Sequence, residues 1–244
     1  MKVKFRLISA VLALLLAAYI PFRVLASPPP AGDTVSSALW WQVSVYNQVQ
    51  QIKDRQYEGC VWGDSISSAL GDSLGEKNFN FAIGGMSSVS LLEQLKQVVP
   101  QGFSCDKSIV AIGTNDAMYG IGDEAFVSNL KQAIAVMRSL GTKQIILIPA
   151  FYSTLAASYN PKFAGTIARV DEINVLINRV AAEENIPVES RGIQALFKAK
   201  ALNGDLTIDG VHLNATGLDI YRKVLLNILN PPLTTRKFFD RKSA

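Results

Sequence analysis

The sequence predicts a three-layer α/β/α sandwich around a parallel sheet, and three observations carry that prediction. Short apolar runs alternate with longer amphipathic ones along the chain. The short runs are continuously apolar, as strands covered on both faces are. The stretches between them are long enough to form helices that return the chain for parallel pairing through right-handed crossovers. A chain of 244 residues suits one such domain or two small ones, and no second domain or internal repeat is visible. With 49% hydrophobic and 18% charged residues, a disordered chain is excluded.

Taken in order, the strand-like runs are Tyr57–Trp62, Asn78–Ile83, Ser108–Ile112, Gln144–Pro149 and, more weakly patterned, Ile186–Glu189. Between them, Ser87–Val99 puts Val89, Leu92, Leu95 and Val99 on one helical face. Asp123–Leu140 repeats Phe126, Leu130, Ile134 and Met137 at helical spacing, and Ala168–Glu184 repeats Ile173, Leu176, Ile177 and Val180. Ala215–Leu229 is the closing helix. Ahead of the first strand, Thr34–Asp54 contains Leu39, Trp40, Val43, Val45 and Val49 and reads as an extra helix packed on the domain.

The charge balance has a local origin. The chain carries 24 Lys and Arg against 20 Asp and Glu, but Lys2, Lys4, Arg6 and Arg23 fall in the first 26 residues, which hold no acid. The rest is balanced, so the basic pI gives no reason to expect a nucleic-acid partner. Three early cations followed by the uncharged run Leu7–Ile20, the helix-breaking Pro21 and the small residues around Ala26 form the pattern of a secretory signal peptide cut after Ala26. The run is short for a membrane span, so contact with a membrane is expected only if the segment stays uncleaved as an anchor. Residues 27–56 then divide into a stiff Pro-rich spacer and the extra helix. The main domain is expected over 57–230. A basic tail over 231–244 (Arg236, Lys237, Arg241 and Lys242) reads as a solvated end.

An exported chain can hold a disulfide, and Cys60 and Cys105 are its two cysteines. Each precedes an apolar run, where a free thiol packs as a small hydrophobe. Cys60 lies five residues before Ser65, and Cys105 ten before Asn115. Neighbouring strands that end level would hold the two thiols out of register, and bridged Cα atoms must lie within about 7 Å. Two free thiols are therefore expected.

In an open parallel sheet, sites form at the carboxyl ends of the strands. The first strand runs into Gly63-Asp64-Ser65, the second into Gly84-Gly85-Met86-Ser87 and the third into Gly113-Thr114-Asn115-Asp116. Asp209-Gly210-Val211-His212 precedes the last helix. One rim thus receives a hydroxyl, glycine N–H groups, a carboxamide and an Asp-x-x-His pair, which are the parts of an acyl-transfer site. His212 is the only histidine, and the chain is too poor in nitrogen and thiolate ligands for the usual zinc sets. No metal or cofactor is expected. There is no G-x-S-x-G elbow, no P-loop and no dinucleotide fingerprint. Asn214-Ala215-Thr216 matches a glycosylation sequon inside the candidate loop, a short match of the kind that arises by chance.

The four segments, in this order and over Tyr57 to Leu226, resemble the blocks of the SGNH (GDSL-type) hydrolase family. The resemblance implies a flavodoxin-like sandwich around a five-stranded parallel sheet. It makes Ser65 the nucleophile, with Asp209 and His212 completing a triad. It assigns an oxyanion hole to the N–H groups of Ser65 and Gly85 and the side chain of Asn115, with Gly84 as the alternative glycine. Ser65 is expected where a strand turns into a helix, so that its own N–H points to the site and the helix dipole favours an oxyanion. Asp64 and Asp116 are expected to pin loops by hydrogen bonds.

Three functions fit these residues. The first is an exported serine esterase acting on small-molecule, lipid or glycan esters. The second is an envelope O-acyltransferase with the same triad, and the third is a silent glycan-binding module. An intact set of Ser65, Asn115, Asp209 and His212 disfavours the third. Met118, Phe151, Tyr152, Tyr159 and Phe163 could line an acyl or sugar pocket or be ordinary loop and core residues.

Overall fold

A computed structural model describes residues 32–231. The expected signal segment, the Pro-rich spacer up to residue 31 and the basic tail from residue 232 lie outside the described residues. The sheet has four parallel strands, β1 (Gln56–Gly63), β2 (Asn78–Asn80), β3 (Ser104–Ala111) and β4 (Gln144–Leu147), in the order β2-β1-β3-β4. This is the flavodoxin-like order, whose switch point lies between β1 and β3.

The fifth strand expected at Ile186–Glu189 is not formed as a strand. It is reduced to a single parallel bridge between Leu147 and Val188, with Leu147 N–H on Pro187 O and Glu189 N–H on Leu147 O. Pro187 brings no N–H, and Asn185 before it has φ +53°, so the segment stays extended for only a few residues at the sheet edge.

Helices cover both faces. On one side lie α1 (Leu39–Ile52), α3 (Ser88–Val98), α5 (Asp123–Ser139) and α6 (Ile167–Glu183). On the other lie the single turn α2 (Ser65–Ser68) and the closing α7 (Ala215–Leu229). A further short helix, α4 (Thr114–Tyr119), follows β3. Among the described residues no helix is long and apolar enough to cross a membrane.

The predicted stripes of α5 and α6 are the buried ones. Two other faces are rotated from expectation. In α3 the buried stripe is Leu91, Leu95 and Val98 together with Ser90 and Gln94, while Val89, Leu92 and Val99 are only half-buried. The polar members sit inside with their donors paired, although Gln94 Oε1 meets no partner among the described residues. Gln94 Nε2 donates to Phe81 O (2.7 Å) and to Gln48 Oε1 (2.8 Å), and Ser87 and Ser90 form a reciprocal cap. In α1 the chain buries Trp41, Val45, Gln48 and Ile52, leaving Leu39, Trp40 and Val43 exposed.

The cysteines also depart from expectation, because Cys60 and Cys105 form a disulfide with Cα atoms 5.9 Å apart. The expectation assumed neighbouring strands that end level, and β1 and β3 are so paired, from Gln56 opposite Ser104 to Gly63 opposite Ala111. The ladder pairs Tyr57 with Cys105 and Cys60 with Ser108. Yet Tyr57, Cys60 and Cys105 all face one core cluster, and Ser108 meets Trp62 of that cluster. The register keeps one offset along the whole ladder, so the cysteines are three positions out of step, and their Cα atoms nevertheless come within bridging distance.

Candidate active site

The site forms where β1 and β3 end. Asp64 caps α2, its Oδ1 accepting the N–H of Ile66 at 3.0 Å, and this directs Ser65 out over the rim. The helix expected after Ser65 is a single turn, so any dipole contribution there is that of one turn. His212 arrives on the loop before α7. Its Nε2 lies 3.0 Å from Ser65 Oγ, and its Nδ1 lies 2.6 Å from Asp209 Oδ2. One chain of hydrogen bonds therefore joins a hydroxyl, an imidazole and a carboxylate.

The loop is built to hold that pair. Asp209 Oδ1 accepts the N–H groups of Val211 (2.9 Å) and His212 (2.8 Å). Thr207 Oγ1 donates to His212 O (2.6 Å) and accepts from Gly210 N–H (2.8 Å). Asn214 caps α7 through the N–H of Gly217 and gives its amide N–H to Asp205 O, so the side chain of the sequon match is in structural use. Burial on its own would raise the Asp209 carboxyl. The hydrogen bonds from the His212 side chain and from the His212 and Val211 N–H groups outweigh it, and Asp209 is held below the usual carboxylate range.

The second and third loops face this chain. Gly85 has φ +73°, a left-handed conformation that suits glycine, and a Cβ there would stand 3.3 Å from both Tyr119 Oη and a Val35 methyl. Tyr119 Oη donates to Gly85 O at 2.9 Å. Burial, with Asp33, Asp116 and Asp64 nearby, pushes that phenol up to about 12, so it stays a donor. Gly84 lies closer to the nucleophile, where a Cβ would stand 3.8 Å from Ser65 Cβ. Asn115 is buried and gives one amide N–H to Met86 O at 3.0 Å, which leaves its other N–H for a ligand.

The two flanking carboxyls pin loops, as expected. Both oxygens of Asp116 lie 3.0 Å from the Ser88 N–H at the start of α3. Burial pushes Asp116 up to about 7 against those hydrogen bonds, with Asp33 adding to the rise. Burial likewise pushes Asp64 up to about 6, while the Ile66 N–H, His212 and Thr114 act the other way.

Of the five residues weighed as pocket lining, Met118, Phe151, Tyr152 and Phe163 surround a cavity beside Ile66, Asn115 and Val211. Tyr159 is not among them and stands exposed. The supporting residues Thr207, Tyr119 and Asp33 were not anticipated. Of these only Thr207 had a signal, a turn-forming hydroxyl two residues before Asp209.

No curated protein matches the chain in sequence. In structure it is similar to a GDSL-like lipase of Bacteroides thetaiotaomicron (TM-score 0.63, 18% identity, covering 75% of this chain and 94% of that one). It is also similar to the lipase/acylhydrolase of Enterococcus faecalis (0.51, 19%, 70% and 95%) and to an acetylxylan esterase of Geobacillus stearothermophilus (0.53, 18%, 74% and 98%). At such identities these likenesses speak for the fold. The family model of the GDSL-like lipases and acylhydrolases matches residues 40–220, most of the chain and every segment of the site, and the chain belongs to that family.

Proposed function

We propose that this ester-bond hydrolase is an exported serine esterase that acts through an acyl-enzyme on Ser65. The observation that carries the reading is the run of hydrogen bonds from Ser65 Oγ through His212 to Asp209. Ser65 Oγ attacks the ester carbonyl as His212 Nε2 takes its proton. The resulting oxyanion is met by the N–H groups of Ser65 and Gly85 and by the free N–H of Asn115. His212 then protonates the departing alcohol, leaving the acyl group on Ser65. A water, deprotonated by the same imidazole, attacks that ester, and the acid and free Ser65 are released. Asp209, kept ionised by its loop, fixes the ring so that Nε2 faces Ser65 and stabilises the imidazolium.

Export is supported by the pattern of residues 1–26 and, independently, by the disulfide, which persists in oxidising compartments. The test is Ser65→Ala. The variant should lose nearly all turnover of a short p-nitrophenyl ester and all labelling by a fluorophosphonate, with a melting temperature close to that of the parent. Labelling that persists in a folded Ser65→Ala chain would remove Ser65 as the nucleophile.

A further inference from the structure

We propose that the acyl part of the substrate is acetyl-sized, that Phe163 sets this limit, and that the alcohol part is bulky. The inference rests on the esterase reading of Ser65. The cavity beside the nucleophile is walled by Ile66, Asn115, Met118, Phe151, Phe163 and Val211. Ile66 follows Ser65, Val211 precedes His212, and Asn115 brings the free amide N–H. Ser65 and His212 do not line the cavity themselves, but their chain neighbours Ile66 and Val211 do, so an acyl group carried on Ser65 would extend into it. Its free volume is about 10 Å³, room for one water-sized group. A methyl group fills that space, and each further methylene requires the wall to move.

The wall is fixed on several sides. Phe151 N–H donates to Thr114 Oγ1 at 2.9 Å, and the Phe151 ring packs edge-on against Phe197 (5.4 Å) and Tyr221 (5.1 Å). Asn174 holds both the N–H (2.7 Å) and the carbonyl (3.1 Å) of Ala150. Gly165 is seated so closely on α4 that a Cβ there would lie 2.7 Å from Ala117 Cβ. Close-packed surroundings of this kind do not expand freely for an added methylene.

Beyond Phe163 the space changes character. The same ring also lines an open depression of about 450 Å³, formed with Thr154, Asn160, Thr207, Ile208 and Asp209. Phe163 thus stands between a small, partly open pocket and a wide groove on the Asp209 side. A small acyl group in the first and a large alcohol, such as a sugar, in the second match the two volumes.

The experiment measures kcat/KM for p-nitrophenyl acetate, butyrate and octanoate with the full chain, Phe163→Ala and Phe163→Leu, with fluorophosphonate labelling and melting curves alongside. The parent should favour acetate over butyrate by about tenfold or more, with octanoate lower still. Removing the ring joins the pocket to the groove, so Phe163→Ala should narrow the acetate-to-butyrate ratio by about tenfold, with Phe163→Leu in between. A labelled parent that turns over butyrate or octanoate as well as acetate overturns the inference and leaves the esterase reading standing. Folded Phe163 variants with an unchanged ratio overturn the role of Phe163. A chain that neither labels nor hydrolyses any of the esters overturns the esterase reading and this inference with it.

Discussion

In the proposed mechanism the single side chain of Asn115 serves structure and chemistry together. One amide N–H anchors the Met86 carbonyl and so holds the second loop, while the other is the donor assigned to the oxyanion. An interaction made mainly in the transition state lowers kcat and kcat/KM together and leaves KM nearly fixed. Asn115→Ala should therefore lose about 2.7–4 kcal/mol of transition-state stabilisation, the range for single oxyanion donors. Ser65 should still label, but more slowly. Steady-state kinetics decide it, since a variant that unfolds or changes KM alone would make Asn115 a loop anchor only. Residues of this kind were legible in the sequence because each of Ser65, Asn115, Asp209 and His212 stands at a fixed point after an apolar run or before a helix. Gly84 and Gly85 were not separable there, because adjacent glycines differ only in backbone conformation. Tyr119 and Asp33 act across long sequence separations that no local pattern records.

Between elements, the Asp116 carboxylate ties α4 to the first turn of α3. Its protonation preference gives this link a pH signature. An ordinary aspartate in the unfolded chain ionises near 3.8, whereas Asp116 in the fold does so near 7. Between those values the folded state binds more protons than the unfolded one, so stability falls as pH rises through the window. The loss amounts to a few kcal/mol by pH 7, and Asp64, raised to about 6, acts in the same direction. Asp116→Asn keeps an acceptor for Ser88 N–H and removes that ionisation. Its melting temperature should decline less than that of the parent between about pH 4 and about pH 8. Parallel curves would show that the carboxyl does not carry the effect. Elsewhere at this scale, helix faces were read correctly where apolar residues at helical spacing dominate the buried side, as in α5 and, around the buried Asn174, in α6. They were misread in α1 and α3, where the buried face contains Gln48, Gln94 and Ser90. An amide whose N–H groups are paired can be buried, but periodicity counts it as surface. Val188 reaches the sheet as expected, but Pro187 beside it keeps the fifth run from becoming a strand.

For the molecule as a whole, the disulfide is the main departure from what the sequence suggested. It fastens the first strand to the third across 45 residues, a segment that includes Ser65 and Gly85. Closing a loop of that length constrains the unfolded chain by about 4 kcal/mol in the chain-entropy account. The double variant Cys60→Ala, Cys105→Ala should melt well below the parent under oxidising conditions and coincide with it once the parent is reduced. Its kcat/KM below the transition should stay near that of the parent, because neither sulfur reaches the rim. Equal melting temperatures of the oxidised parent and the double variant would deny the bridge any part in stability.

The described body also has a direction. Asp33 joins it at the rim, where its carboxylate takes hydrogen bonds from the Ser87 hydroxyl and the Ser90 N–H beside the second loop. The other end leaves from the opposite edge. Leu229 packs against Gly59 midway along β1, and Lys107 in the first half of β3 donates to the Ile228 and Leu229 carbonyls. A chain attached to a bead or a carrier through residue 231 would turn its catalytic face outward. The same chain attached through residue 32 would press that face toward the support, and large esters would feel the difference before small ones did.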